Sequence, residues 1–200
     1  MATTMSIKNR IGLVLQAEAN AINQINIDDS FEQAISIIQE CPGTIISTGI
    51  GKAGIMAEKF SATLRSGTTA SYFVHPAESA HGDLGLLSKN DVLVVFSTSG
   101  KSREVIEMLV AAKKIGVSKV IGITSHPDSE LRNFSDVILN MGLIEEPCPL
   151  GLTPSASSAV MLAIGDAIAL TVLELKGVTK ADFGSRHHAG YLGQSARSDD

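Results

Sequence analysis

Aromatic residues and cysteines are scarce in this sequence. It contains no tryptophan, and aromatic residues make up only 4% of its 200 residues, so nucleic-acid bases would find little to stack on. The formal net charge of −5, without clustered Lys and Arg, also argues against a nucleic-acid partner. The two cysteines, Cys41 and Cys148, lack the spacing of a metal site. We therefore expect two free thiols and no disulfide framework.

The sequence also lacks a long uninterrupted apolar run. Its most apolar stretch, residues 156–175, is rich in alanine and is broken by Asp166 and Glu174, which favours a buried helix over a membrane span. The N-terminus, MATTMSIKNR, lacks the apolar centre of a signal peptide. We therefore expect no membrane partner and a cytoplasmic location.

What the sequence does contain is enough apolar material for one core, since 44% of its residues are hydrophobic and 18% are charged. We expect a single domain over residues 1–200. Short β-branched runs alternate with helical patterns, which predicts an α/β fold with a parallel sheet flanked by helices on both faces. The five predicted strands are 44–47, 71–74, 92–96, 120–124 and 137–140. The predicted helices are two leading ones at 7–23 and 29–40, then 53–64, 104–115 and 155–176, before a C-terminal loop at about 178–200.

The loops that follow the predicted strands hold the candidate functional residues. Ligands of an open parallel sheet bind at the carboxyl ends of its strands, where these loops gather. Three of the four loops are rich in hydroxyls, glycine, histidine or lysine. The loops are STGIGKAG (47–54), HPAESAHGD (75–83), STSGKSRE (97–104) and the turn SHP (125–127).

The STSGKS part of the third loop, residues 97–102, has the composition of a phosphate-binding loop. It follows an apolar strand and directly precedes a predicted helix. A helix N-terminus offers unpaired N–H groups and a partial positive charge, and four hydroxyls add donors suited to a phosphate monoester. The simpler interpretation is a helix cap, which needs only one Ser or Thr. Four hydroxyls around one glycine exceed that need, so we favour phosphate binding.

The first loop has the spacing G-x-G-x-x-G at Gly49, Gly51 and Gly54, which is typical of a dinucleotide-binding turn. That interpretation requires an acidic residue at the end of the second strand, where this chain continues with His75 and Pro76. A lysine also lies within the turn, and a dinucleotide leaves the STSGKS loop unexplained. We therefore reject a dinucleotide in favour of a phosphorylated small molecule.

Longer motifs surround these loops: GxGKxG at 49–54, VHPAESAHGDLG at 74–85, EPCPLGLTPSAS at 146–157 and GDA at 165–167. Together with STSGKS they resemble the sugar isomerase (SIS) domain family and, within it, the D-arabinose 5-phosphate isomerases. The resemblance covers nearly the whole chain and implies an SIS-type three-layer sandwich. It also implies interconversion of D-ribulose 5-phosphate and D-arabinose 5-phosphate, which supplies 3-deoxy-manno-octulosonate (KDO) for lipopolysaccharide or capsule.

The resemblance further implies roles for particular residues. The family positions regarded as catalytic fall on Lys52, Glu104, Glu146 and His187; the choice of His187 over its neighbour His188 rests on spacing alone. The expected substrate-binding residues, with the phosphate on the STSGKS hydroxyls, are Ser47, Gly51, Thr68, Thr69, His81, Ser97, Thr98, Ser99 and Ser102. Full-length members of the family commonly carry a pair of CBS domains, so this chain resembles the single-domain form.

Aldose–ketose isomerisation moves a proton between C1 and C2 through an enediol, and the implied residues suit that chemistry. Glu146 precedes the rigid segment Pro147-Cys148-Pro149, which could fix its carboxylate as the general base; a solvated side chain is the alternative. Glu104 could instead close a capping box, but the resemblance favours the site. Lys52 among glycines is well placed to pair with an oxyanion, so we expect no metal or organic cofactor.

The second loop contains H-x2-E-x2-H, formed by His75, Glu78 and His81, and these residue types can bind zinc. Because Pro76 interrupts the segment, the spacing assures no common face for the three side chains. We therefore do not expect a catalytic metal, and an inhibitory metal at His75 is the remaining alternative. His126, beside Pro127, is most simply a turn residue.

Two alternative functions stay open: another SIS isomerase, of the phosphoheptose or 6-phospho-3-hexulose type, or a non-catalytic sugar-phosphate sensor. The joint presence of an acid, a base and a lysine argues against the sensor. We expect a homo-oligomer, because the leading helices and the helix 155–176 carry more apolar surface than one small sheet can cover, and the resemblance implies a homotetramer. The His187 loop could then complete a neighbour's site.

Without CBS domains, feedback by the pathway's activated product, CMP-KDO, would have to act at the active site, where Lys52 and the STSGKS helix terminus could accept its anions.

Overall fold

The computed structural model describes residues 5–197 and contains a five-stranded sheet whose strands all pair in parallel. The strand order is β2-β1-β3-β4-β5. The chain order reverses between β1 and β3, and ligands of such sheets bind at the carboxyl ends beside this switch point. The strands are β1 (Ile45–Gly49), β2 (Ser71–Phe73), β3 (Val92–Phe96), β4 (Lys119–Thr124) and β5 (Val137–Asn140).

Helices cover both faces of the sheet, which confirms the predicted α/β three-layer architecture. The eight α-helices of the described chain are α1 (Ile7–Asn23), α2 (Asp29–Gln39), α3 (Lys52–Ser66), α4 (Pro76–Ser79), α5 (Arg103–Ile115), α6 (Ala156–Leu175), α7 (Lys180–Arg186) and α8 (Gly190–Ser195). Two short 3₁₀ helices cover Asp83–Leu86 and Glu130–Asn133.

Strand alternation divides the interior into two apolar cores. In β3, Val92, Val94 and Phe96 join the core under α1, α2, α3 and α6. The intervening Leu93 and Val95 join the core under α5. Because all five β3 residues are buried, the strand has no solvent-facing side, as expected for the centre of a parallel sheet. This burial holds the carboxyl end of β3, and the loop that follows it, in a fixed position.

Helix α6 is the central helix of the larger core. Within residues 5–197 it is the one helix with the length and hydropathy of a membrane span. It nevertheless packs against α1, α2 and α3, and nine of its residues are buried, including Val160, Ile164 and Ile168. Its apolar character is therefore explained by burial in the core, as the sequence predicted.

Two segments differ from their predicted form as loops. In the 75–83 segment, Pro76 takes the first position of α4, where its missing N–H costs nothing, and His75 caps the helix. In the 178–200 segment, α7 and α8 form instead of a continuous loop, and α7 begins with a capping box between Thr179 and Asp182. Residues 1–4 and 198–200 of the predicted single domain lie outside the described residues.

Candidate active site

A cleft of about 230 Å³ opens at the carboxyl ends of β1 and β3. It lies at the switch point of the sheet, where the start of α3, the loop before α5 and the start of α6 meet. Five of the residues predicted from the sequence line it: Lys52, Ser97, Thr98, Ser99 and Ser102. Its remaining lining residues were not predicted from the sequence; they are Ile50, Ala53, Pro154, Ser158 and Met161. Ser158 directly follows the motif at 146–157, so the extended hydroxyl run was the available signal.

Glycines shape the loop that presents Lys52. Gly51 has φ +62°, a left-handed conformation that side-chain-bearing residues rarely adopt, and it directly precedes α3. A Cβ atom on Gly54 would lie 2.6 Å from the carbonyl oxygen of Gly49, so only glycine lets α3 approach β1 this closely. The G-x-G-x-x-G spacing therefore serves strand–helix packing, and it leaves the Lys52 side chain exposed at the cleft.

The STSGKS loop folds around its own hydroxyls. Ser97 Oγ accepts the N–H of Gly100 at 3.2 Å and lies 3.3 Å from Ser102 Oγ. Ser102 is the N-cap residue of α5, yet its side chain makes no capping hydrogen bond. A simple cap therefore does not explain this loop. The residues that carry these hydroxyls instead line the cleft directly before the N-terminus of α5, which suits an anion.

Glu104 lies in the first turn of α5, two residues beyond Ser102, and is partly buried. A capping box requires the acidic residue at the third helical position, which is occupied here by Val105. The capping-box interpretation is therefore wrong, because α5 begins one residue later than it would have to for Glu104 to take the third position. Glu104 follows two residues after Ser102, which lines the cleft, although Glu104 itself is not among the lining residues.

Glu146 binds the N-terminus of α6 with its carboxylate. Oε2 accepts the N–H groups of Ser155 and Ala156 at 2.8 and 2.9 Å. Oε1 accepts the N–H of Ser157 at 3.2 Å. The alternative of a freely solvated side chain is thus wrong, because three donors and the helix dipole hold the carboxylate. It lies beside the α6 residues that line the cleft, although Glu146 itself is not among the lining residues.

Helix α1 holds the loop that carries Glu146, a role the sequence analysis missed. The Arg10 guanidinium donates to the carbonyl oxygen of Pro147. The Ser155 hydroxyl donates to the Glu18 carboxylate. Both contacts join residues 137 positions apart in the chain, so no local pattern could have indicated them.

Cys148 lies in the same loop, and its sulfur accepts the N–H groups of Leu150 at 3.3 Å and of Thr153 at 3.4 Å. The Thr153 side chain, then the backbone N–H groups of Thr153, Leu152 and Leu150, lower the pKa of this thiol to about 6. Both cysteines are free, as predicted.

Ser47 is not placed to contact a ligand, which corrects the expectation from the sequence. Its side chain is fully buried within β1. Its hydroxyl donates to the carbonyl oxygen of Ala57 at 2.6 Å and continues through Ser61 to Ser71 in a chain of hydroxyl contacts. This buried chain fastens α3 to the sheet.

Three further predicted residues lie at the opposite, amino edge of the sheet. Helix α3 begins at the carboxyl edge with Lys52 and ends with Ser66, about 21 Å away at 1.5 Å per residue. His187 Nε2 lies 3.5 Å from Ser66 Oγ, and Thr68 and Thr69 follow directly, with the Thr69 hydroxyl accepting from Lys176. One chain therefore does not bring His187, Thr68 or Thr69 together with its own Lys52.

The histidines of the second loop are separate from the cleft. His75 Nδ1 accepts the N–H of Ala77 at 3.3 Å as the cap of α4, so this nitrogen is already occupied. His81 is exposed in the turn after α4. Among residues 5–197, no group of three or more His, Cys, Asp or Glu side chains is arranged to hold a metal ion.

Comparison with known proteins places this geometry in a family. The SIS domain model matches residues 37–171. The chain is 38% identical over 191 residues to arabinose 5-phosphate isomerase KdsD of Pseudomonas aeruginosa, covering 94% of this chain and 57% of that protein. It is 41% identical over 172 residues to KdsD of Francisella tularensis, covering 84% of this chain and 52% of that protein. The chain thus spans about half the length of the curated relatives it matches.

Two of the similar solved structures match over their full length. A Bacteroides fragilis protein, described as a candidate phosphosugar isomerase involved in capsule formation, superimposes with a TM-score of 0.90 at 39% identity, covering 93% of this chain and 100% of that one. The E. coli CFT073 protein c3406, solved in complex with arabinose 5-phosphate, gives 0.87 at 37% identity, covering 92% and 100%. Fold, cleft and sequence agree: the chain belongs to the SIS domain family.

Proposed function

We propose that this chain is an aldose–ketose isomerase that interconverts D-ribulose 5-phosphate and D-arabinose 5-phosphate. The observation that carries the proposal is the cleft, in which a phosphate-type loop faces Lys52 and adjoins the fixed carboxylate of Glu146. The names of the 38–41% identical relatives and the arabinose 5-phosphate bound in the E. coli CFT073 structure support this choice of substrate.

The phosphate binds where hydroxyls and unpaired N–H groups converge at the start of α5. The Ser97, Ser99 and Ser102 side chains and Thr98 line this end of the cleft. A dianionic phosphate there gains from the helix dipole and from several donors at once. Anchoring C5 in this way leaves C1 and C2 to reach the part of the cleft beside Lys52 and α6.

Proton transfer then needs one base beside both carbons. Glu146 is that base: it removes a proton from C1 of ribulose 5-phosphate and returns one to C2, which leaves the aldehyde at C1. Lys52 pairs with the enediolate oxygen that gains charge between these steps. Glu104, in the first turn of α5, handles the hydroxyl protons of O1 and O2. These roles require no metal and no organic cofactor.

The division of the predicted residues between two edges supports a site shared between subunits. Lys52 and His187 lie at opposite ends of α3 in one chain. Helix α1 also exposes a stripe of large apolar side chains, Ile7, Ile11 and Leu15, at 82, 56 and 62% of their surface. We therefore propose a homotetramer, in which His187 of one subunit completes the cleft of a neighbour and opens the cyclic sugar.

Mixing two impaired variants tests this shared site. Lys52→Ala and His187→Ala are each expected to keep only a small residual activity alone, whereas assemblies formed from both should regain up to about a quarter of wild-type activity. The value of one quarter arises because half of the sites keep Lys52, and half of those sites receive an intact His187 from the neighbouring subunit. Two variants of the same residue, mixed in the same way, are the control. A fully active monomer by light scattering would contradict the proposal.

In the cell, the reaction would supply KDO for lipopolysaccharide or capsule in the cytoplasm. CMP-KDO is the proposed feedback ligand, because its carboxylate and phosphodiester are anions that Lys52 and the N-terminus of α5 can accept. We expect competition with arabinose 5-phosphate and weaker inhibition of the Lys52→Ala variant. Initial rates that show an unchanged apparent KM at millimolar CMP-KDO would exclude it.

Incubation with ribulose 5-phosphate in deuterated water tests the activity itself. Arabinose 5-phosphate should accumulate with deuterium at C2, since the proton returned to C2 exchanges with solvent on the base. Turnover of sedoheptulose 7-phosphate or 3-hexulose 6-phosphate instead would identify another SIS isomerase. Binding of sugar phosphates without any turnover would identify a sensor.

A further inference from the structure

His187 is held by contacts that fix which of its ring nitrogens carries a proton. Its Nδ1 lies 2.9 Å from the carbonyl oxygen of Phe183. A carbonyl oxygen can only accept, so Nδ1 is the donor and carries the hydrogen. In the neutral imidazole, Nε2 is therefore the nitrogen with the free lone pair. Its nearest polar neighbour, Ser66 Oγ, is 3.5 Å away and donates to Ala62 at 3.2 Å.

The ring plane is also fixed. The Phe183 ring stacks on the imidazole with centroids 3.9 Å apart and an angle of 10° between the planes. Stacking and the Nδ1 contact come from one residue, one helical turn before His187 in α7. Rotation of the imidazole about its Cβ–Cγ bond would break the Nδ1 contact, and any rotation short of a half turn would break the stacking as well. His188, by contrast, is exposed, so the structure favours His187 over its neighbour as the held imidazole.

The backbone of this turn is clamped by Arg197. Its Nη1 donates to the carbonyl oxygen of His187 at 3.0 Å and to that of Gly184 at 3.4 Å. Its Nη2 donates to the carbonyl oxygen of His188 at 3.3 Å. A planar guanidinium can serve three acceptors at once, whereas an ammonium lacks this fixed fork. The side chain thus joins the end of α7 to the residues that follow α8.

Helix α8 is shaped to allow this clamp. Gly193 is buried, and a Cβ atom there would lie 1.8 Å from the carbonyl oxygen of His187 and 3.4 Å from Nη1 of Arg197. Any larger residue at 193 would push α8 away from the His187 turn. The close approach at Gly193 and one of the three Arg197 contacts are separate observations that concern the same carbonyl group, that of His187.

We propose that Arg197 is a positioning residue that, with Phe183, presents Nε2 of His187 as the proton-accepting atom of the isomerase site. This inference rests on the proposed function, in which His187 reaches a neighbour's cleft. Arg197 touches no substrate and acts only through the orientation of His187. Because a misplacement of about 1 Å can cost about 100-fold in rate, its loss should lower kcat strongly while leaving KM nearly unchanged.

A double-mutant cycle on the assembled enzyme tests the inference. Arg197→Ala should lower kcat by about 10–100-fold in the wild-type background and by less than about twofold in the His187→Ala background, because a residue that acts through His187 has nothing left to position. Arg197→Lys should fall between, and free guanidinium should restore part of the Arg197→Ala activity. Arg132→Ala, which removes an exposed arginine elsewhere, is the control and should show neither loss nor restoration.

The outcomes separate the inference from the function. Equal losses from Arg197→Ala in both backgrounds would overturn the positioning role while leaving the isomerase intact. A fully active His187→Ala enzyme would remove His187 from the site and the inference with it. If light scattering shows that Arg197→Ala breaks the assembly, the same double-mutant cycle is measured with Arg197→Lys in place of Arg197→Ala. An unchanged kcat in that variant and no effect of guanidinium would also overturn the inference.

Discussion

Replacing Glu146 with glutamine separates two roles that the structure gives to one carboxylate. Glu146 caps the N-terminus of α6 through three N–H groups, at 2.8, 2.9 and 3.2 Å, and it is also the proposed base. Glutamine has nearly the same shape, so its carbonyl oxygen can keep the Ser155 and Ala156 contacts. Its NH₂ group then faces the N–H of Ser157, where two donors meet and one hydrogen bond is lost.

The expected cost to stability is small. One lost hydrogen bond is worth about 1 kcal/mol, and the lost charge at the helix N-terminus about 0.3–1 kcal/mol. The sum of about 1–2 kcal/mol lowers Tm by about 2–8 °C for a chain of this length. Thermal unfolding must be compared at one protein concentration, because assembly makes Tm concentration-dependent. The neighbouring Glu145→Gln change removes an exposed carboxylate with the same chemistry, so it serves as the control.

The expected cost to catalysis is much larger, because an amide cannot accept the C1 proton. We expect kcat to fall by about 10²–10⁴-fold while KM changes little. Coupled detection of arabinose 5-phosphate formed from ribulose 5-phosphate gives the rate. A Glu146→Gln enzyme with a lowered Tm and near wild-type kcat would show that the carboxylate is a helix cap and refute its role as base.

Three further changes test other parts of the site. Gly100→Ala should lower the unfolding free energy by more than about 2 kcal/mol and weaken phosphate binding, because φ at Gly100 is +62° and a Cβ atom would lie 1.8 Å from the buried hydroxyl of Ser129. Denaturant unfolding measures the first effect and titration with inorganic phosphate the second. A variant that stays stable and binds phosphate normally would contradict the loop geometry. Alkylation of Cys148 by iodoacetamide should accelerate as pH rises through about 6 and then level off, because the thiolate is the reactive form and dominates above the pKa of the thiol. Mass spectrometry follows Cys41 in the same sample as the internal comparison, since its thiol donates to backbone carbonyls. Equal pH profiles for the two cysteines would contradict the lowered pKa of Cys148. Arg10→Ala should lower kcat by about tenfold through a looser Pro147 loop, and unchanged kinetics would show that α1 does not hold the base.

Local pattern was sufficient for the architecture and for much of the cleft. The alternation of β-branched runs with helical periodicity predicted all five strands and the five long helices, because such periodicity is a local property of the chain. The STSGKS loop and Lys52 were found because glycines and hydroxyls cluster where strands end, and the parallel sheet necessarily brings those ends together.

Short segments without periodicity were not predictable in this way. Helices α4, α7 and α8 have four to seven residues, too few for a repeating apolar pattern to appear. Their only local signals were the proline at the first position of α4 and the T-x-x-D capping box of α7.

Only the tertiary structure decided how distant residues meet. It placed Glu146 on the N-terminus of α6 and Arg10 on the loop that follows Glu146, and the Arg10 contact joins residues 137 positions apart in the chain. It also separated His187 from Lys52 by the length of α3, although the family resemblance implies that both residues are catalytic. The sequence by itself determined which residue types the chemistry requires. Their positions depend on packing between elements far apart in the chain, and that packing is not encoded in any local pattern.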